Sequence, residues 1–246
     1  MSKGVVVPMA GVGSRLANAG FNGPKWAIRP PWTDRSLLNL SIKGICESIP
    51  GSDLLLITLG GTYDSEILRN ALGPTLKPLG VVELGQLQRG PLASIAAAWD
   101  ELGLGGYAEL WFTTCDTYVP AINYEAAPSA KGTVVCFNFD APNLCHVDVG
   151  DQAQVFRLRE KVGNLAPLSS TGTFRINCVE EFRRAMLDVL ASPSVRGSGE
   201  YFISDAINAL LRQGLGFDAV VVPGAWALGT SEDLTNCPPA IAWAMR

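Results

Sequence analysis

The sequence predicts an α/β fold in which helices flank a mainly parallel open sheet that carries a small antiparallel insertion. Two observations in the first half predict the parallel part. Apolar runs at 4–7 and 54–59 have the composition of strands buried on both faces, and each precedes a segment with helical spacing. The third observation is that strand-like runs at 133–139, 155–158 and 173–176 follow one another without helices between them.

The helices are predicted from their starting residues and from apolar spacing. Ser36, Asp64 and Pro91 are residue types favoured at helix starts, and each precedes a segment with apolar residues. The predicted helices span 36–49, 64–73, 91–103, 179–190 and 201–211. A strand over 110–114 leads to Asp116, and a last strand spans 217–222. With no internal repeat and no low-complexity linker, we expect one domain over residues 1–246.

Composition excludes several classes of protein. The 246 residues are 48% hydrophobic and 17% charged, which supplies a core and excludes disorder, collagen and coiled coil as whole-chain descriptions. A net charge of −4 offers no basic surface for nucleic acid. The charged fraction is below the usual value of about 25%, which is consistent with a subunit interface and a homo-oligomer. No apolar run has the length of a signal-peptide core or a membrane span, so we expect a cytoplasmic protein without a membrane partner.

The cysteines and the single histidine suggest no metal or nucleophile site. The six cysteines form no CxxC pair and are expected to be buried, reduced thiols. Cys145 and His146 are adjacent, but no spaced partner ligands accompany them. Because the chain has only this one histidine, it lacks the usual general base, and we expect chemistry that relies on phosphates, a metal ion and basic side chains.

A glycine-rich turn follows the first strand. Gly11 and Gly13 are followed by Arg15, and Lys25 comes after a proline ten residues later. Leu16 stands where a Rossmann fingerprint needs glycine, and no Gly-Lys-Ser/Thr of a P-loop follows. Glycines allow backbone N–H groups to approach phosphate oxygens, and the two basic residues supply charge for a polyphosphate. An ordinary tight turn with surface Arg and Lys remains the alternative at this point.

Further short motifs follow this turn along the chain, and their order resembles that of a known family. They are Gln86-Leu-Gln88-Arg-Gly90, Cys115-Asp116, Glu160-Lys161, Ser170-Thr171-Gly172-Thr-Phe174, Gly199-Glu200-Tyr and Trp226-Ala-Leu-Gly229-Thr230. Together with the glycine turn, they span about residues 4–234. In this order the chain resembles the sugar-phosphate nucleotidylyltransferases, and most of all their small capsule and surface-polysaccharide members. The resemblance implies a Rossmann-like, GT-A-type fold, with a nucleotide-binding half over about 1–120 and an acceptor-binding half over about 121–246.

The resemblance also implies a reaction and a set of residues. An acceptor phosphate would attack the α-phosphorus of a nucleoside triphosphate and release pyrophosphate, with Mg²⁺ as cofactor. Arg15, Lys25 and Asp116 would be catalytic, and Asp116 would also hold the metal. The nucleotide would be bound by Met9, Ala10, Gly11, Gly13, Ser14, Gln88 and Gly90, with Gln86 as the alternative reader of the base. The acceptor would be bound by Glu160, Lys161, Thr171, Gly172 and Glu200, the last at the start of a helix.

One position departs from the family pattern. Ala227 stands two residues before Gly229-Thr230, where most members carry a second metal-binding aspartate. Glu200 or Asp205 could replace it, or the triphosphate and water could complete the site. A nucleotide-binding pseudoenzyme of the same fold is therefore a rival, whereas a glycosyltransferase would normally show Asp-x-Asp at Asp116. The acceptor stays open among a sugar 1-phosphate, a polyol phosphate and similar metabolites, and a glutamine reader suits cytosine, uracil or thymine.

Overall fold

The structure is a computed structural model that describes residues 2–121, 130–138, 144–161, 168–194 and 198–245. Its strands are β1 (Lys3–Pro8), β2 (Asp53–Leu59), β3 (Gly80–Leu84), β4 (Glu109–Phe112), β5 (Thr117–Tyr118), β6 (Gly132–Asn138), β7 (Cys145–Val149), β8 (Val155–Glu160), β9 (Leu168–Ile176), β10 (Phe217–Val221) and β11 (Trp226–Ala227). Its helices are α1 (Ser14–Asn18), α2 (Leu37–Ser48), α3 (Ser65–Leu72), α4 (Pro91–Ala98), α5 (Val179–Ala191), α6 (Ile203–Arg212), α7 (Ser231–Thr235) and α8 (Pro239–Ala244). Short 3₁₀ turns cover Lys25–Ala27, Leu104–Gly106 and Asp151–Ala153.

One mixed sheet forms the centre, with strand order β10-β6-β9-β4-β1-β2-β3. β1 pairs in parallel with β2 and β4, and β2 pairs in parallel with β3. β9 runs antiparallel to both β4 and β6, so the antiparallel segment is part of the main sheet and lies at its middle. β7 and β8 form an antiparallel hairpin, and β5 and β11 form a separate two-stranded sheet. The predicted α/β fold class, with a mainly parallel sheet and a small antiparallel part, is confirmed.

Both faces of the sheet are covered, as its apolar strands require. Val6 of β1 packs with residues of α4, α5 and α6 on one face, while Val5 and Val7 pack with α2 and α3 on the other. A smaller apolar cluster joins Leu16 of α1 to Leu228 and to the chain end near α8. None of the described helices is long and apolar enough to cross a membrane.

Several element boundaries differ from the sequence prediction. β3 and β7 were not predicted, and α4 ends at Ala98 instead of Gly103. α6 begins at Ile203, because the Phe202 N–H donates to the Asp205 carboxylate at 2.8 Å and sets the cap there. The expectation that Glu200 starts this helix is therefore wrong, and its carboxylate lies in the preceding loop. The caps at Ser36 and Asp64 are confirmed, since the Ser36 side chain accepts one backbone N–H of the first turn and the Asp64 side chain accepts two.

Candidate active site

A cavity of about 470 Å³ opens at the carboxyl ends of β1 and β4, within the size range of small-molecule sites. Its walls come from the β1–α1 turn, the start of α4, the end of β4, the end of β8, β9 and the loop before α6. All fifteen site residues predicted from the sequence line it: Met9, Ala10, Gly11, Gly13, Ser14, Arg15, Lys25, Gln88, Gly90, Asp116, Glu160, Lys161, Thr171, Gly172 and Glu200. The alternative base reader, Gln86, is not among its lining residues.

The glycine turn brings its two basic residues to one wall of the cavity. Gly13 has φ +64°, and a Cβ built on it would lie 2.7 Å from the Cβ of Lys25, so a side chain here would displace the lysine. Leu16 is fully buried in the cluster near the chain end, which anchors α1 while Arg15 stays exposed at the cavity. Trp26, buried beneath the sheet, anchors the 3₁₀ turn that carries Lys25.

Lys25 and Asp116 form an ion pair in the cavity wall, with 20% and 26% of their side chains exposed. The contact joins residues 91 positions apart. Burial would raise the pKa of Asp116, but the Lys25 charge and its hydrogen bond, with Arg15 further off, lower it below its usual value. Burial would likewise lower the pKa of Lys25, but the Asp116 charge raises it above the ordinary value. Both groups are therefore charged at neutral pH, as phosphate and cation binding require.

The surroundings of Asp116 fit a divalent cation. Its carbonyl accepts the Leu228 N–H at 2.8 Å, and β11 next to it brings Ala227 opposite Thr117. A Cβ built on Gly229 would lie 3.1 Å from Asp116 Oδ2 and 3.9 Å from Asp233 Oδ2, so the glycine lets the backbone lie close to both carboxylates. Carboxylate oxygens are the ligands that Mg²⁺ prefers. Asp233 also lines the cavity, whereas Asp205, which the sequence suggested as a substitute ligand, caps α6 and is not among the lining residues.

Within the described residues, no group of three or more His, Cys, Asp or Glu side chains could hold a metal ion unaided. Asp116 and Asp233 alone would leave most coordination positions of a cation to other oxygen donors. Mg²⁺ in nucleotide sites typically takes those donors from phosphates and water. The residues present therefore fit a cation that arrives with a polyphosphate.

Lys161 also lines the cavity and is held by several contacts. Its Nζ lies 3.0 Å from Glu200 Oε2 and 4.6 Å from the centre of the Phe202 ring. Its backbone has φ +54°, and its N–H donates to the Leu144 carbonyl at 3.0 Å. Burial would raise the pKa of Glu200, but the hydrogen bond and charge of Lys161 lower it below its ordinary value. The cavity wall thus carries a third cation besides Arg15 and Lys25.

Two predicted acceptor residues have protein partners. The Ser204 hydroxyl donates to Glu160 Oε1 at 2.5 Å, which turns that carboxylate toward α6. The buried Thr171 hydroxyl donates to the Val135 carbonyl at 3.0 Å, so its proton is used in a hydrogen bond between β9 and β6. Gly172 has φ +79°, and a Cβ there would lie 2.4 Å from Thr114 Cγ2. The glycine is needed for this close approach of β9 to the end of β4.

The predicted base-reading segment is tied to the loop before α6. Gly90 has φ +94°, and a Cβ on it would meet the Tyr201 carbonyl oxygen at 2.4 Å. The Tyr201 N–H donates to the Arg89 carbonyl at 2.8 Å, and its carbonyl accepts the Leu92 N–H at 3.2 Å. The Gln88 amide donates to the Gln86 carbonyl at 3.2 Å. These contacts hold the segment that carries Gln88 beside the segment that carries Glu200.

Phe202 and Asp233 are among the cavity residues that were not predicted as site residues. Phe202 lies two positions after Glu200, and no sequence motif marks this aromatic residue as part of a site. Asp233 follows Gly229-Thr230, but its carboxylate also accepts the Thr230 N–H at 2.8 Å, and that capping pattern was visible in the sequence. Cys145 also lines the cavity, where burial raises the pKa of its thiol far above the ordinary value, so it is protonated and unreactive.

Comparisons with known proteins identify the fold. No protein-family model matches the chain, and no curated protein matches it. A nucleoside-diphosphate-sugar pyrophosphorylase from Vibrio cholerae RC9 is similar over 94% of this chain and 98% of its own, with TM-score 0.79 and 21% identity. An inositol-1-phosphate CTP transferase from T. maritima is similar over 100% and 95%, with TM-score 0.71 and 14% identity.

A third structure, a candidate glucose-1-phosphate thymidylyltransferase from Bacillus anthracis in complex with sucrose, covers 98% of this chain and 95% of its own. Its TM-score is 0.69 at 13% identity. All three carry names of nucleotidyltransferases that act on phosphorylated small molecules. The chain therefore has the fold of the sugar-phosphate nucleotidyltransferases. The resemblance stated from the motifs is confirmed for that fold.

Proposed function

We propose that the chain is a nucleotidyltransferase that joins a nucleoside triphosphate to a small phosphorylated acceptor and releases pyrophosphate. One observation carries the proposal: one cavity is lined by the cations Arg15 and Lys25, by the Asp116 carboxylate that pairs with Lys25, and by a third cation, Lys161, that pairs with Glu200. A triphosphate and a second phosphate are the anions that such a charge distribution suits.

The glycine turn would bind the triphosphate. Backbone N–H groups near Gly11 and Gly13 and the charges of Arg15 and Lys25 would hold its phosphates and offset the charge that grows on the leaving pyrophosphate. Lys25 is already charged and held by Asp116, so little reorganisation precedes binding. Gln88 would hydrogen-bond the base, supported by its position in the cavity wall.

Asp116 and Asp233 would hold Mg²⁺ together with phosphate oxygens. Mg²⁺ bound there would neutralise phosphate charge during the transfer. Asp116 supplies the carboxylate that the family pattern expects, and Asp233 lines the same cavity with its carboxylate also near Gly229. Ala227 leaves the remaining coordination to phosphate and water.

The acceptor phosphate would bind Lys161, with Glu160 and Glu200 beside its organic part. One of its oxygens would attack the α-phosphorus, a new P–O bond would form, and the bond to the β-phosphate oxygen would break. A phosphate monoester is already mostly ionised at neutral pH, so the step needs position and charge more than a general base. This agrees with a chain that holds one buried histidine.

We further propose the finer assignments that the resemblance implies. The nucleotide-binding half spans about 1–120 and the acceptor-binding half about 121–246. The product would be an activated precursor for surface polysaccharide such as capsule, made in the cytoplasm by a homo-oligomer.

A pyrophosphate-release screen tests the proposed reaction. Each of the four common nucleoside triphosphates is incubated with Mg²⁺ and a panel of sugar 1-phosphates, polyol phosphates and other phosphorylated metabolites. Release that needs both one nucleotide and one acceptor supports nucleotidyl transfer. Nucleotide binding without release from any pair would favour the second candidate, a nucleotide-binding pseudoenzyme, for which Ala227 is the specific observation.

A further inference from the structure

The Lys161 ammonium is held by two side chains of different kinds. Glu200 Oε2 lies 3.0 Å from Nζ, and the Phe202 ring centre lies 4.6 Å from it, inside the roughly 6 Å range of cation–π contacts. Phe202 also lines the cavity, so the ring and the ammonium meet at the substrate space. We propose that Phe202 is a positioning residue, whose ring face keeps the Lys161 ammonium in place for an acceptor phosphate.

The two partners of Lys161 respond differently to an incoming anion. Glu200 is a carboxylate whose pKa is lowered, mainly by Lys161 against the effect of burial, so it is charged and competes with a phosphate for the same ammonium. The Phe202 ring is neutral and attracts the ammonium through its quadrupole, without needing an N–H directed at a lone pair. The ring can therefore hold the cation while the N–H groups turn to the phosphate.

The lysine's backbone supports the same conclusion. Lys161 has φ +54°, a left-handed conformation that non-glycine residues rarely adopt and that surrounding contacts must maintain. Its N–H donates to the Leu144 carbonyl at 3.0 Å, which fixes where the side chain leaves the main chain. Because the main chain at Lys161 is fixed and its ammonium lies on the Phe202 ring, the long side chain loses less rotamer freedom when a phosphate binds.

The Phe202 side chain can be changed without disturbing the cap of α6. The contact that starts the helix is made by the Phe202 main-chain N–H with the Asp205 carboxylate, and every replacement except proline keeps it. Phe202→Leu removes the ring at similar volume, and Phe202→Tyr keeps a ring face. Phe156→Leu is the matched control, because Phe156 is 60% exposed on β8 and is not among the cavity residues.

The proposal rests on the acceptor role of Lys161, so its test uses a probe that does not depend on turnover. Inorganic phosphate should protect Lys161 from an amine-acetylating reagent in the intact protein, and the labelled peptide is quantified by mass spectrometry. Phe202→Leu should raise the phosphate concentration for half-protection about three- to tenfold, the scale of a cation–π contact at a partly exposed lysine. Phe202→Tyr and Phe156→Leu should stay within about twofold of the unaltered protein.

A second readout separates position from general structure. With the acceptor that the pyrophosphate screen identifies, Phe202→Leu should raise the acceptor KM by the same factor and leave the nucleotide KM nearly unchanged. The proposal would be overturned if Phe202→Leu needed a phosphate concentration for half-protection within about twofold of that of the unaltered protein. It would also be overturned if Phe202→Tyr needed as much phosphate as Phe202→Leu. Neither result would refute the nucleotidyltransferase reaction. If phosphate does not protect Lys161 at all, both this proposal and the acceptor assignment fail. A pyrophosphate-release screen that finds no turnover would, by contrast, refute the nucleotidyl transfer and leave the role of Phe202 in phosphate binding intact.

Discussion

Replacing Asp116 by asparagine should reduce both stability and turnover, because it removes the partner of a half-buried lysine. The Asp116 side chain is 26% exposed and the Lys25 side chain is 20% exposed, so the pair is intermediate between a surface ion pair and a buried one. Surface pairs contribute about 0–1 kcal/mol, and breaking a buried pair costs about 3–5 kcal/mol. We expect Asp116→Asn to cost about 1–3 kcal/mol, or a fall in Tm of roughly 2–12 °C for a chain of this length.

The assay compares urea unfolding and pyrophosphate release for the variant and the unaltered protein. Turnover should fall on the order of 10²-fold or more, since a preorganised charge at the reacting phosphates is lost. Asp100→Asn is the matched control, because Asp100 pairs with Arg183 at 3.1 Å on the surface with 87% of its side chain exposed. That variant should change stability by less than about 0.5 kcal/mol. Unchanged stability and full activity of Asp116→Asn would refute the reasoning.

The stability lost in Asp116→Asn should depend on pH, because the ion pair stabilises the fold only while both groups are charged. The lowered pKa of Asp116, set by Lys25 against burial, means that its contribution is complete above its ordinary value of 3.8 and disappears as pH falls through the folded-state value. The raised pKa of Lys25 means that its contribution is complete below 10.5 and disappears above the folded-state value. The stability difference between Asp116→Asn and the unaltered protein should therefore be flat between these limits and shrink outside them. A difference that grows in acid would contradict the ion pair.

Arg15→Ala should lower kcat on the order of 10²–10³-fold in the pyrophosphate assay and leave the melting temperature nearly unchanged, since Arg15 is exposed on the short helix α1. Gly13→Ala should cost about 1–3 kcal/mol in urea unfolding and impair turnover, because φ is +64° and the new Cβ would lie 2.7 Å from Lys25 Cβ. Gly20→Ala, at φ +89° with nothing within 4 Å, measures the backbone strain alone and should leave turnover intact. Ala227→Asp should tighten Mg²⁺ binding in calorimetry with nucleotide present, and unchanged binding would mean that position 227 does not face the cation.

The candidate site residues were predicted from the resemblance, and the sheet explains why some of them lie together. The turn after β1 and Asp116 after β4 come together since β1 and β4 are parallel neighbours whose carboxyl ends meet at one edge. Sequence spacing could not predict the pairing of those residues. Lys25 and Asp116 are 91 positions apart, and Lys161 and Glu200 are 39 apart, so their contacts depend on the tertiary fold.

The elements that were missed have weak local signals. β3 offers only Val81 and Val82 as adjacent β-branched residues, and its pairing with β2 stabilises it. β7 contains His146 and Asp148, and it is a strand because it pairs with β8 along its length. The late start of α6 follows from the carboxylate of Asp205, which caps the Phe202 N–H three residues before it.

Phosphorus NMR of the reaction product is the most direct test of the proposed transfer. The acceptor and nucleotide that pass the screen are mixed with Mg²⁺ and the enzyme. The proposal predicts two coupled doublets from a pyrophosphate linkage between the nucleotide α-phosphorus and the acceptor phosphorus, together with one equivalent of free pyrophosphate. A nucleoside monophosphate with unchanged acceptor, or unchanged substrates despite bound nucleotide, would contradict it.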